Sequence, residues 1–74
     1  MSAIEKRLGR AVRRLRTRAD FSQESFAAAA GLHRTYMGLI ERGQVAVTIV
    51  TLERIATALR MTPSALLAEA ERER

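Results

Sequence analysis

The chain has 74 residues, 47% of them apolar, with a net charge of +5 and no cysteine. One small domain spanning 1–74 is expected. It would bury roughly 60–65% of its unfolded surface and keep a thin stability margin that a partner subunit would widen. Disulfides and thiolate metal sites are excluded, no apolar run approaches the roughly 18–20 residues that cross a bilayer, and Glu5 and basic residues stand where a signal peptide needs an apolar core. The expectation is a soluble cytoplasmic protein with no membrane partner.

Ser2 and Glu5 have capping-box spacing, so a first helix is predicted over 3–18. Its Ile4, Leu8, Ala11, Val12 and Leu15 recur at three- and four-residue steps and form one apolar stripe among arginines. Ser22 caps a second helix over 23–30, with Phe26, Ala27 and Ala30 facing inward and Gly31 closing its end. The alanines at 27 to 30 let another helix approach closely. Leu32 plugs the core, and a third helix follows over 34–42, with Met37 and Ile40 buried and Gly43 as its stop. Thr48 caps a fourth over 49–59, whose apolar face is Ile49, Leu52, Ile55, Ala56 and Leu59. The β-branched run from Val45 to Val50 has no second strand to pair with and reads as loop plus first helical turn. Thr62 and Pro63 open a fifth helix over 63–72, since a proline at the first position loses an N–H that would be unpaired anyway. The Glu-Arg-Glu-Arg end reads as a fraying, solvated tail.

The fold class is therefore all-α, and its second and third helices are short and joined by a tight glycine turn. That arrangement is the common way to set side chains into a DNA major groove. Charge agrees: residues 1 to 37 hold eight Lys or Arg against three acidic residues, while 38 to 74 hold five of each sign. The whole positive excess lies in the half that would face a polyanion.

At Ser22-Gln23-Glu24, Ala27, Gly31 and Ile40-Glu41-Arg42-Gly43 the sequence resembles the phage-repressor (lambda and Cro-like, XRE-type) helix-turn-helix family. The resemblance implies a compact five-helix lambda-repressor-like domain with the motif at helices 2 and 3. Gly-Leu-His-Arg-Thr-Tyr at 31 to 36, with Ile-Glu-Arg-Gly, is similar to the controller proteins of restriction-modification systems, which are small dimeric regulators. The chain departs from them at Val45-Ala46, where controllers usually carry an Arg-Asn pair that helps hold the adjoining DNA backbone or loop.

With the third helix in a major groove, its first turn and outward face present His33, Arg34, Thr35 and Leu39 to base edges, and Gly38 makes room for close approach. Arg34 suits a guanine, because a guanidinium can donate to O6 and N7 together. Thr35 offers a hydroxyl or a methyl. His33 is open between capping the helix, touching a phosphate and reading a base; Tyr36 is open between a phosphate or thymine edge and half-buried packing. Gln23 is a phosphate contact both by resemblance and by its place at a helix N-terminus, and Arg42 joins it. The resemblance further implies that Arg16 and Glu41 form a partly buried structural ion pair.

A single such domain reads about half a site, so a twofold homodimer is expected on a pseudo-palindrome of double-stranded DNA. Leu66, Leu67 and Ala70 exceed what the fifth helix needs for its own packing and, with Leu59 and Met61, are the expected dimer surface. The function expected is sequence-specific transcriptional regulation, with activation or repression set by operator occupancy and by the position of RNA polymerase, as for a restriction-modification controller. The alternative is an antitoxin or other protein-interaction module, for which only Ala68 to Arg74 could supply a gripping tail. A charge-only DNA binder would show similar affinity for any duplex. Enzymatic function is not expected: the sole histidine has no nucleophile and carboxylate around it, and no cofactor, metal cluster, phosphate-binding glycine loop or small-molecule substrate site is legible.

Overall fold

Side-chain N-caps and left-handed turns separate the described residues, 3–74, into five helices in the computed structural model. They are α1 (Ala3–Arg18), α2 (Gln23–Ala30), α3 (Arg34–Glu41), α4 (Ile49–Ala58) and α5 (Pro63–Arg72), and no strand occurs among the described residues. Ser2, the expected cap of α1, lies outside them. Ser22, Thr48 and Thr62 each accept a backbone N–H from the third helical residue, at Ser25, Thr51 and Ala65. The Ser22 cap is reciprocal, since Ser25 Oγ also accepts the Ser22 N–H. α3 and α4 each stop one residue short of the expected end, with Arg42 and Leu59 as their C-caps.

All four internal helix exits use one device. Asp20, Gly31, Gly43 and Arg60 take φ between 58° and 69°, and the next residue's N–H reaches back to a carbonyl five residues earlier: Phe21 to Arg16, Leu32 to Ala27, Gln44 to Leu39 and Met61 to Ala56. This closure satisfies carbonyls that the helix leaves unpaired. At three exits the residue after the turn is apolar, and Phe21, Leu32 and Met61 all pack against the core. The turn thus stops a helix and seats a hydrophobic anchor in the same step.

Leu8, Val12, Phe26, Met37, Ile40, Ile55 and Leu66, each from the apolar stripe of its helix, form the core together with buried alanines. Phe26 meets the ring of Phe21 with centroids 5.2 Å apart. Three expectations are corrected here. Ile49 is not on the buried face of α4: it is 80% exposed, because the first turn of α4 projects beyond the core. Leu66 and Ala70 are wholly enclosed within the monomer, so they present no surface to a second copy; α5 spends them packing against the core. Finally, the C-terminal residues are not a loose tail. Arg14 of α1 donates from Nε to Glu73 (2.7 Å) and from Nη2 to Glu69 (3.0 Å), which fastens the end of α5 across α1. The guanidinium holds the Glu69 carboxyl below its ordinary range.

α1 also lies unusually near the end of α3. A Cβ added at Gly9 would stand 2.4 Å from the Ile40 carbonyl oxygen and 2.6 Å from that of Glu41, both rigid backbone. The Gly9→Ala substitution sets two effects against each other. It gains up to about 1 kcal/mol of helix propensity, but it forces the helices apart at a typical overpacking cost of about 1–3 kcal/mol. The clash is with backbone and is expected to win. The variant should melt several degrees below wild type, and a melting temperature equal to or above it would show that α1 and α3 are not in backbone contact here.

Candidate nucleic-acid interface

The face is built on a charged joint. Arg16 of α1 donates from Nε to Glu41 Oε2 (2.6 Å) and from Nη2 to Oε1 (2.9 Å), while its Nη1 donates to the Phe21 carbonyl (2.9 Å). The Arg16 and Glu41 side chains are only 12% and 3% exposed, so this bidentate pair is largely shielded from water. The hydrogen bonds raise the already high pKa of Arg16 and keep its charge fixed. Gln23, the first residue of α2, adds a third element: its Nε2 donates to Glu41 Oε1 at 3.2 Å. One carboxylate therefore holds the ends of α1, α2 and α3 together. It also fixes the Gln23 amide, whose second N–H stays available to an acceptor such as a phosphate oxygen.

From this joint the chain opens a shallow concavity lined by Gln23, His33, Arg34, Thr35, Gly38 and Arg42. Five of these are the base and phosphate candidates of the sequence reading, brought together from α2 and α3; Gly38 is the residue expected to make room. Leu39 and Tyr36 are not in the lining. Both are partly buried, and Tyr36 packs against the core. Gly38 belongs to this face rather than to the interior packing: a Cβ there would meet only the ends of Arg42 and Gln23, the nearest 3.2 Å away. Glycine inside a helix costs about 1 kcal/mol relative to alanine, and nothing in the core requires it. What a side chain there would crowd is the pair Arg42 and Gln23.

His33 caps α3. Its Nδ1 accepts the Thr35 N–H at 3.1 Å, so the neutral ring carries its proton on Nε2, away from the helix. Thr35 is exposed beside it. Arg42 Nε donates to Gln44 Oε1 (3.0 Å), which steadies it at the end of α3. Arg34 is exposed but not solitary, for its Nη1 lies 3.4 Å from Glu24 Oε2, a pairing the sequence reading missed. Spacing alone could not give it, since it spans the turn between two helices. The loop before α4 turns Val45 against the core and leaves Ala46 exposed, so those two positions offer no polar side chain. Arg54 of α4 donates to the Gly31 carbonyl (3.4 Å), supporting the turn from behind.

A family model described as a helix-turn-helix domain matches residues 7–70. The control protein C.MunI of Mycoplasma sp. is 43% identical over 74 residues, spanning 99% of this chain and 100% of that protein. The chain belongs to the helix-turn-helix family, among the controller proteins. The control protein C.SmaI of Serratia marcescens is 42% identical over 64 residues, 86% of this chain and 76% of that one. The crystal structure of the restriction-modification controller protein C.AhdI from Aeromonas hydrophila superposes with a TM-score of 0.84 at 42% identity, covering 88% of this chain and 98% of that one. Regulation of transcription by DNA binding is thus the function of this chain, and the antitoxin alternative loses the free tail it depended on. No helix among the described residues is long and apolar enough to cross a membrane.

The ion pair is the part of this interface most exposed to test. Glu41→Ala leaves Arg16 buried without its carboxylate and should cost about 3–5 kcal/mol, a large share of the roughly 5–15 kcal/mol that holds a small domain together. Urea unfolding is the measurement. A curve that overlays wild type would mean that the pair carries no weight.

Proposed function

We propose that the chain acts as a symmetric homodimer on a pseudo-palindromic operator, with α3 of each copy in the major groove and operator occupancy turning transcription up or down. In this reading Arg34 donates to guanine O6 and N7, Thr35 and the His33 Nε2–H meet neighbouring base edges or phosphate, and Gln23 and Arg42 grip the DNA backbone on either side. The observation that carries it is the convergence of Gln23, His33, Arg34, Thr35, Gly38 and Arg42 on one concavity beside the start of α3. The sign of regulation follows from where the operator lies relative to RNA polymerase.

Dimensions favour two copies. The longest extent of the chain is 26 Å, whereas half-sites read by two recognition helices lie about 34 Å apart. The surface for the second copy shifts from the one expected. With Leu66 and Ala70 enclosed and Leu59 and Met61 packed against the core, Leu67 alone of the earlier set stands exposed. It borders a mostly apolar groove with Ile4, Glu5, Leu8, Val47 and Leu52, and the exposed Ile49 and Val50 lie shortly after Val47 in the chain. This apolar surface on so small a domain is read as the dimer face.

Two experiments test the reading. Selection of bound sequences from random duplexes at fixed salt should return a twofold motif, and Arg34→Ala should relax the preference at one position per half-site, a loss of about 1–3 kcal/mol of discrimination. Equal loss of affinity for all sequences would reduce Arg34 to a phosphate contact. In sedimentation, the wild-type chain should be a dimer at tens of micromolar and the Val50→Asp, Leu67→Asp double variant a folded monomer. A double variant that stays dimeric would move the interface elsewhere.

A further inference from the structure

We infer that Glu24 is a positioning residue for Arg34: its carboxylate holds one end of the guanidinium so that the opposite edge is presented to the groove, favouring guanine over phosphate. The inference rests on the reading of Arg34 as a base reader and names what sets its selectivity.

Glu24 is the second residue of α2 and Arg34 the first of α3, so their pairing bridges the turn of the motif. The contact is made through Nη1 alone, at 3.4 Å. That leaves the Nε and Nη2 edge, two parallel N–H groups matching the O6 and N7 acceptors of guanine. A guanidinium has five donors, so the carboxylate and the base can be served together.

Other roles for Glu24 are weak. The side chains of Arg34 and Glu24 are 67% and 76% exposed, and an ion pair so open to water adds little to stability. Capping does not need it either, because Ser22 and Ser25 already close the reciprocal cap of α2. In the first turn of α2 its charge complements the helix N-terminus, a small, solvent-screened effect, but toward DNA that same charge repels the phosphate it approaches. The pairing with Arg34 gives that carboxylate a use. A tethered arginine loses less rotamer freedom on binding, and any swing toward a phosphate must first break the contact with Glu24.

The experiment compares the duplex selected by the wild-type chain with the same duplex carrying adenine at the guanine whose preference depends on Arg34. Affinities for both are measured at one salt concentration for wild type, Glu24→Gln, Arg34→Ala and the double variant. Glu24→Gln should melt with wild type and lower the guanine preference about three- to tenfold, mainly through tighter binding to the wrong duplex. In the Arg34→Ala background it should leave the ratio unchanged. If Glu24→Gln changes affinity for both duplexes by the same factor, or shifts the ratio equally without Arg34, then Glu24 acts only as a general charge and the inference falls. A preference that depends on Arg34 but not on Glu24 refutes the positioning alone, whereas one that survives Arg34→Ala refutes the base reading and the inference with it.

Discussion

The helix-turn-helix is pinned to the scaffold through one carboxylate. Glu41 stands at the end of α3 and binds Arg16 of α1 and Gln23 of α2, so the start of the motif and the end of its second helix are fixed to the same point. A buried charge is expensive unless its hydrogen bonds are satisfied, and here both oxygens accept from Arg16 while the guanidinium's remaining nitrogen finds the Phe21 carbonyl. The residue receiving that last bond follows the left-handed exit of α1. The joint thus ties the helix-turn-helix to the scaffold at the turn leading into it as well as at its far end. Gly9 makes the approach possible by letting α1 lie against the backbone of Ile40 and Glu41.

Stiffness matters to such a reader because base discrimination depends on angle. In the proposed reading, a two-pronged hydrogen bond from Arg34 would tolerate little rotation of α3, and the helix is short. Its first turn is set by the His33 cap on the Thr35 N–H, its last residue by Arg16, and the turn before it by Arg54 on the Gly31 carbonyl. The residues that project from this frame, His33, Arg34, Thr35 and Arg42, are exposed. A fixed backbone below exposed side chains lets the helix arrive aligned.

The five helices were legible because each begins with a side chain that can cap it and carries apolar residues at helical spacing. Two of the four exits were also legible, because Gly31 and Gly43 announce a left-handed turn. Asp20 and Arg60 did not: neither residue type marks that conformation by itself, and the signal was the pattern around them, a turn followed by an apolar residue and then a capping serine or threonine. The residues that line the candidate concavity could be grouped from the sequence because one helix and its flanks carry most of them. Contacts between elements were harder to read. The Glu24 pairing, the bond from Gln23 to Glu41 and the near-contact at Gly9 all depend on interhelical distances that no local period encodes. The apolar residues of α5 misled for a related reason, since Leu66 and Ala70 look surplus until α1 is seen lying across them.

The packing of α5 on α1 bears on how the chain reaches its native state. The two helices stand at opposite ends of the sequence, yet Arg14 spans 55 and 59 residues to reach Glu69 and Glu73. Such closure must form across almost the whole domain, so the loop-closing entropy falls on the last contact rather than being spread over local steps. α1 packs on both α3 and α5, and only the α3 side can form before the C-terminal segment arrives. The frame around α3 closes within residues 16 to 54, so the long-range closure by α5 adds the remaining cover of α1 to a motif whose own joints are already local.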